Sequence, residues 1–421
     1  MFMTDPPTRV TNLLADISDV GRDDTRGGYS RFAYATAELE LREWFVAEAA
    51  RRSMDVETDR NGAIWAWRVG ADGSFDNAVV TGSHLDSVPG GGAFDGPLGI
   101  ASAFAAVDTI SARGFTAKRP LAIVAFPEEE GGRFGLACLG SQLMTGAVSP
   151  DRARALTDAD GITFAEAFAR SGHDPERIGR DDAALSRISS FVELHVEQGR
   201  GLIDLGQPVA IGSSILGHGR WRLTVTGQGN HAGATLMRDR RDPMVAAAAI
   251  VVAVRDTVRT FDGARGTVGR IQPVPGGTNV IASRVDVWLD VRHPDDDVTR
   301  AAVSAIHDRA TAIAAAEGCG VALVEESYSR SVSFDRGLRD HLSAVLPDAP
   351  VLDTGAGHDA GVLSSVVPTA MLFTRNPTGV SHSPEEHIED GDGELGAAAL
   401  ADVLQELCSR SGADPRGGAN V

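Results

Sequence analysis

The sequence predicts an α/β protein: a mixed sheet flanked by helices, interrupted by an inserted ferredoxin-like α+β domain. Three observations lead there. Apolar runs of strand length alternate with segments of helical spacing, which favours a sheet covered by helices. Several of those runs end in polar or glycine-rich turns. In the middle of the chain the pattern changes to half-polar alternation, the mark of strands with one solvated face.

In chain order, TAELELREWFVAEAARRSM (36–54) places Leu39, Leu41, Phe45 and Ala49 at helical spacing. GAIWAWRV and NAVVTGSH read as strands, GPLGIASAFAAVDTISARG as a glycine-lined helix, and RPLAIVAF as a buried strand. SFVELHVEQG and TAMLFTR are further apolar strands. Between them GRWRLTVTGQG alternates, a helix runs from Asp242 to Thr260, and two strands follow, RGTVGRIQPV and SRVDVWLDVR. In the second, Val285, Val287, Leu289 and Val291 share a face. A helix (Val298–Glu317) and a strand, GVALVEESY, complete the order β-α-β-β-α-β of a ferredoxin-like sandwich. The expected domains are therefore residues 1–214 with 333–421, and an insert, 215–332. No internal repeat or low-complexity segment appears, and the C-terminal SGADPRGGANV is expected to be disordered.

A chain of 421 residues exceeds what one core organises. Its 43% hydrophobic and 23% charged residues are ordinary for a globular protein. A net charge of −19 argues against nucleic acid, which needs a concentrated basic face. It leaves room for an anionic small substrate held by a local arginine. Cys138, Cys319 and Cys408 are too few and too scattered for a disulfide framework and read as core residues. The N-terminal segment lacks a basic region followed by an apolar one. The most apolar window meets Arg255 and Asp256 after eleven residues, short of the ~20 that span a membrane. The expectation is a cytoplasmic protein with no membrane partner.

Four segments concentrate chemistry. GSHLDSVPGGGAFDG sets His84 and Asp95 on either side of a glycine turn, with Asp86 two residues after His84 and so on the same side of an extended chain. From there Asp86 is expected to accept the other imidazole N–H and fix its tautomer. FPEEEGGRFG ends a buried strand with Glu128, Glu129 and Glu130. A Glu run is ordinarily a solvated turn, but ends of parallel strands are where α/β proteins place ligands. ELHVEQG carries Glu193, His195 and Glu197 on one face of a strand, and GVSHSPEEH places His382 in a loop. Imidazoles and carboxylates delivered together from four strand ends suit zinc, manganese, nickel or cobalt.

With NHAGAT, GGTNVI, DVRH and GAGHDA in the same order, the chain resembles the M20 metallopeptidase-like amidohydrolases. The resemblance is strongest to their hydantoinase/carbamoylase branch: allantoate amidohydrolase, N-carbamoyl-L-amino-acid hydrolase and β-ureidopropionase. It implies two divalent ions per subunit (Zn, Mn, Ni or Co). His84 and His195 would bind one metal each, Glu130 and His382 would complete the two shells, and Asp95 would bridge. It further implies Glu129 as general base, Asp86 as the residue orienting His84, and His231 as the oxyanion donor. Asn279 and Arg292 would hold the substrate, with Gln198, Arg220, Gly357 and His358 as further contacts. Leu236 stands where the family usually has proline, a departure in the His231 loop.

The activity implied is hydrolysis of the ureido (N-carbamoyl) C–N bond of a small carboxylate, allantoate or an N-carbamoyl-L-amino acid, with release of ammonia and carbon dioxide. EEEGGRFGLACLGS looks closer to the allantoate enzymes. A homodimer through the inserted domain is expected. The competing readings are an M20 exopeptidase or deacylase, which Arg292 and the GGTN and GAGHDA motifs disfavour, and an inactive metal-binding relative, which would have no reason to keep Glu129 beside Glu130.

Overall fold

The computed structural model describes residues 9–410, so the SGADPRGGANV stretch lies outside the described residues. The first compact unit holds the described residues up to Ser213 and from Ser333 onward; the second is Ser214–Val332.

Strands β1 (Asp55–Thr58), β2 (Ile64–Arg68), β3 (Ala78–His84), β4 (Leu121–Phe126), β5 (Ile188–Val196) and β6 (Val209–Ile215) precede most of the second unit. That unit contains β7 (Gly217–Thr226), β8 (Asn230–His231), β9 (Arg265–Val274), β10 (Val280–Ile281), β11 (Arg284–His293) and β12 (Gly320–Ser329). After it come β13 (Val332–Ser333), β14 (Val351–Thr354) and β15 (Thr369–Thr374). The large sheet runs β1-β2-β4-β3-β5-β15-β6-β13, with β14 also on β6. Its centre, β4-β3-β5-β15, is parallel, while β2 and β6 join it antiparallel.

The four central strands are buried along their whole length, which is why they read as continuous apolar runs rather than alternating ones. Parallel alignment brings their C-terminal ends to one edge. His84 closes β3, Glu128 to Glu130 follow β4, His195 lies one residue from the end of β5, and the loop after β15 carries His382.

One face of this sheet is covered by the helices Pro97–Ala112 and Asp390–Ser409, in a core that includes Leu98, Phe104, Leu194, Leu372 and Leu404. Phe104 is fully buried, its ring 5.2 Å from that of Phe45, and each such ring contributes on the order of 1.5–3 kcal/mol of burial. The first helix lies close on β5 because residue 99 is glycine. A Cβ there would stand 2.4 Å from the Leu194 carbonyl oxygen. That approach sets the start of the helix, and the Asp95 turn before it, against the end of β3.

The second unit is a four-stranded antiparallel sheet, β12-β7-β11-β9, with chain order β-α-β-β-α-β. Helices Pro243–Val258 and Asp296–Ala316 pack on one face. There Val285, Val287, Leu289 and Val291 are buried with Trp221, Leu223 and Val225, as the alternation of β11 indicates. The short strands β8 and β10 pair with one another, opposite residues being His231 and Val280.

Candidate metal centre

His84 is fully buried, and its Nδ1 lies 3.0 Å from the backbone oxygen of Asp86. A carbonyl oxygen only accepts, so Nδ1 carries the proton and Nε2 presents a lone pair. His195 repeats the arrangement, with Nδ1 2.9 Å from the Val196 oxygen. Both lone pairs face one atom, Asp95 Oδ1, at 3.4 Å from His84 and 3.1 Å from His195. Neither Nε2 has a hydrogen-bond partner among the described residues. Two lone pairs directed at a carboxylate oxygen repel unless a cation or protons stand between them. The buried donor set therefore fits a divalent metal. The other oxygen of Asp95 faces a second group: Oδ2 is 3.4 Å from His382 Nε2, which is 3.3 Å from Glu130 Oε2.

Two sets of candidate ligands thus share Asp95: His84, Asp95 and His195, and Asp95, Glu130 and His382. The expected division gave His84 and His195 one metal each, whereas here their Nε2 atoms face the same oxygen of Asp95. The two rings lie side by side, centroids 5.8 Å apart, because β3 and β5 are parallel neighbours.

The turn geometry depends on glycine at two positions. Gly96 has φ +84°, and a Cβ on it would lie 2.6 Å from both Cε1 and Nδ1 of His84. At Gly92 a Cβ would lie 2.3 Å from Glu386 Oε1. Glu386 accepts the backbone N–H groups of Phe94 (3.1 Å) and Asp95 (3.0 Å), and the Ser381 hydroxyl at 3.2 Å. It ties the Asp95 turn to the His382 loop. Sequence reasoning passed over it, because SPEEH reads as a solvated acidic loop; its place four residues after His382 was the available signal. Asp359, fully buried and bonded by Ser141, was also passed over, as was the role of Glu193, which accepts from Ser83 Oγ (2.8 Å) and the Ala360 N–H (3.1 Å).

Asp86 differs from expectation in how it works. Its carboxylate lies 3.7 Å from His84 Nδ1, too far for the expected hydrogen bond, and its backbone oxygen makes that contact instead. The carboxylate accepts the N–H groups of Glu129 (3.2 Å) and Glu130 (3.1 Å), fixing where the two glutamates point. Glu129 Oε2 is 3.7 Å from His84 Nε2, while its Oε1 accepts the Cys138 thiol at 3.4 Å. Burial, with Asp359, Glu130 and Glu193 adding to it, holds the Glu129 carboxyl well above the usual range even though His84 opposes the shift. Glu130 is pushed up to about 8 by burial and by Asp95. Glu128 and Glu197 face elsewhere: Glu128 accepts from the Arg133 and Phe134 N–H groups, and Glu197 caps the helix Gly201–Leu205 through the Gly201 and Leu202 N–H groups.

Gln198 lies at the cluster, its Nε2 donating to Asp95 Oδ2 (2.9 Å) and to Ser381 Oγ (3.0 Å). His358 is buried against His195, ring centroids 4.5 Å apart, and neither of its nitrogens has a hydrogen-bond partner among the described residues. Burial, reinforced by His195, drives its pKa well below the usual imidazole value. Gly357 beside it is exposed.

The remaining predicted residues belong to the second unit. The β8–β10 pair brings His231 beside the Asn279 segment, with the Ala232 N–H donating to the Asn279 oxygen at 3.0 Å. His231 Nδ1 accepts from the Gly233 (3.1 Å) and Ala234 (3.2 Å) N–H groups, so the neutral ring carries its proton on Nε2. Leu236, 55% exposed, leaves this loop intact: Arg240 braces it through the Ala232 and Thr235 carbonyls. Arg292 forks onto Asp290, Nε to Oδ1 at 2.7 Å and Nη2 to Oδ2 at 3.1 Å, and Arg220 Nε is 3.9 Å from the same carboxylate.

Comparison with known proteins finds relatives over most of the chain. The profile of Peptidase family M20/M25/M40 matches residues 80–406. An N-carbamoyl-L-amino acid amidohydrolase of Geobacillus stearothermophilus is 34% identical over 95% of this chain and 98% of its own. An allantoate amidohydrolase of Escherichia coli (strain K12) is 31% identical over 94% and 97%. The crystal structure of an amidase of the hydantoinase/carbamoylase family from Burkholderia multivorans superposes with a TM-score of 0.87 at 30% identity, covering 95% of this chain and 97% of that one.

Proposed function

The chain belongs to Peptidase family M20/M25/M40, and from that premise we propose that it is a binuclear metal-dependent amidohydrolase. Its reaction is cleavage of the ureido C–N bond of a small carboxylate, an N-carbamoyl-L-amino acid or allantoate. One observation carries the reading: Asp95 stands between two ligand sets, with paired imidazole lone pairs on one oxygen and His382 with Glu130 on the other side. Bound Zn, Mn, Ni or Co would supply an activated water and a Lewis acid for the carbamoyl oxygen. Glu129, beside the cluster and with a raised proton affinity, takes the proton of the attacking water and returns it to the leaving nitrogen. Asp86 fixes Glu129 through its backbone and His84 through its own carbonyl. His231 donates from Nε2 to the developing oxyanion, a role its locked tautomer supports. Arg292 and Asn279 hold the carboxylate end, Arg292 exchanging its fork on Asp290 for one on the substrate. Gln198, Arg220, Gly357 and His358 complete the contacts.

The protein acts as a homodimer through the second unit. The helix Pro243–Val258 leaves Met244, Val245 and Val252 exposed on one apolar face (37%, 50% and 50%), and β9, an edge strand, exposes Ile271. Sedimentation as a monomer at micromolar concentration counts against the dimer. Among the described residues no helix is long and apolar enough to cross a membrane.

The deciding experiment measures ammonia release from N-carbamoyl-L-amino acids, allantoate and β-ureidopropionate after chelation and reloading with each of the four metals. Release from at least one ureido carboxylate, absent without metal, is expected. Metal-dependent cleavage of a dipeptide or N-acyl amino acid with no ureido turnover would replace this reading by an exopeptidase.

A further inference from the structure

At their other ends, the strands that present ligands border a partly open cavity of about 410 Å³. Arg119 enters it from just before β4, and Ser190 from the start of β5. Arg410 enters from the end of the helix Asp390–Ser409, and His341 from the helix Arg336–Val345. Along β5, Ser190 and His195 are five residues apart, about 17 Å at ~3.3 Å per residue. The cavity is separate from the metal centre.

Its lining is rich in donors and poor in acceptors. Arg119 is 8% exposed and Ser190 6%, yet Arg119 Nε and Ser190 Oγ have no hydrogen-bond partner among the described residues. Arg119 makes a single side-chain bond, Nη2 to Asn77 Oδ1 at 3.3 Å, and among the described residues no carboxylate lies within 4 Å of it. A buried guanidinium without a counter-charge is costly, and Arg410 beside it adds like-charge repulsion. Arg410 Nη2 lies 2.8 Å from His341 Nδ1, so a neutral His341 keeps its proton on Nε2, which makes no hydrogen bond and has the Glu406 carboxylate at 3.9 Å. Arg410 has Glu406 at 3.6 Å. The lining contains one carboxylate, Asp335, whose Oδ1 accepts the Leu338 N–H at 2.7 Å as the cap of the helix Arg336–Val345. That helix N-terminus faces the cavity with Gly337 and Leu338 and adds its own preference for negative charge. Leu338 and Leu407 make the rest apolar.

We propose that this cavity is a second binding site, for a small oxyanion, carboxylate or phosphate, carried on a compact apolar body. Arg119 and Arg410 grip the anion, Ser190 and His341 donate to it, and Leu338 and Leu407 cover the body. The volume falls within the usual range for metabolite pockets.

The test titrates the metal-loaded full chain calorimetrically with inorganic phosphate in one arm and with a short aliphatic carboxylate in the other. Each titration is repeated on Arg119→Met and Arg410→Met. Saturable binding of at least one anion is expected, with each variant weakening it about tenfold or more, the worth of one charge-assisted bond, while kcat/KM for the ureido substrate stays at the wild-type value. Arg410 is exposed at a helix end, so its variant still folds if the buried Arg119 variant does not. The proposal is overturned if neither anion binds, or if binding survives unchanged in Arg410→Met.

Discussion

Replacing Gly96 by alanine tests the rigidity on which the metal centre depends. The residue sits at φ +84°, where any L side chain costs on the order of 1–2 kcal/mol. The added Cβ would also stand 2.6 Å from Cε1 and Nδ1 of His84, where ordinary contact begins near 3.4 Å. The ring must therefore retreat by about 0.8 Å, and it is fully buried, with Nδ1 held by the Asp86 carbonyl. A displacement of that size costs roughly 10²-fold in turnover, and disturbing a ligand's support costs about 10–100-fold in metal affinity. The control is Gly114→Ala, at φ +67° with nothing within 4 Å of its Cβ. It carries the same backbone cost without touching the site. Both proteins would be stripped by chelation, titrated with metal and assayed for ammonia release. Both should lose similar thermal stability from the backbone term, and Gly96→Ala alone should lose metal affinity and turnover. If the two variants bind metal equally well, His84 is not a rigidly placed ligand and the argument from its geometry fails.

Glu129→Gln should keep the metal content of the wild type and lose about 10²–10⁴-fold in kcat, because the amide preserves shape and removes basicity; near-normal turnover removes Glu129 from the role of base. Arg292→Lys should lower kcat/KM on carboxylate substrates about ten- to a hundredfold and affect an uncharged ureido amide far less. Equal losses on both would make the Arg292–Asp290 fork a structural pair. Burial pushes the Cys408 thiol up to about 12, so at pH 9 only about one molecule in 1,000 carries its reactive thiolate. Native-state alkylation followed by mass spectrometry should find the half-buried Cys319 modified well before Cys408, with the Cys408 rate rising as the pH is raised toward 12. Equal rates at pH 9 would contradict that order.

The legible part of the molecule was the part written in local pattern. Fully buried parallel strands appear as unbroken apolar runs, and β11 appears as alternation, because burial on two faces or one face acts on each residue in place. The polar residues at the strand ends were legible for the same reason: a histidine or glutamate closing an apolar run is conspicuous. What escaped was pairing across long separations. Nothing local says that Glu386 bonds the Asp95 turn, that Asp359 is buried, or that His84 and His195 share one oxygen of Asp95. Those depend on which strands become neighbours. The partner of His84 Nδ1 was misread because an extended chain puts the Asp86 side chain on the right side, whereas the irregular backbone after β3 brings its carbonyl closer.

The separation in sequence of the ligands has a consequence for biosynthesis. β15 pairs in parallel with β5, yet the whole of Ser214–Val332 is translated between them, and His382 follows later still. Non-local pairings of this kind close slowly, since the entropy of the intervening loop is lost before the contact forms. A ribosome-bound chain can hold the His84, Asp95 and His195 set while Glu130 still lacks its histidine. On the proposed ligand sets, metal loading is expected to be sequential, the second ion entering only after most of the polypeptide has left the ribosome.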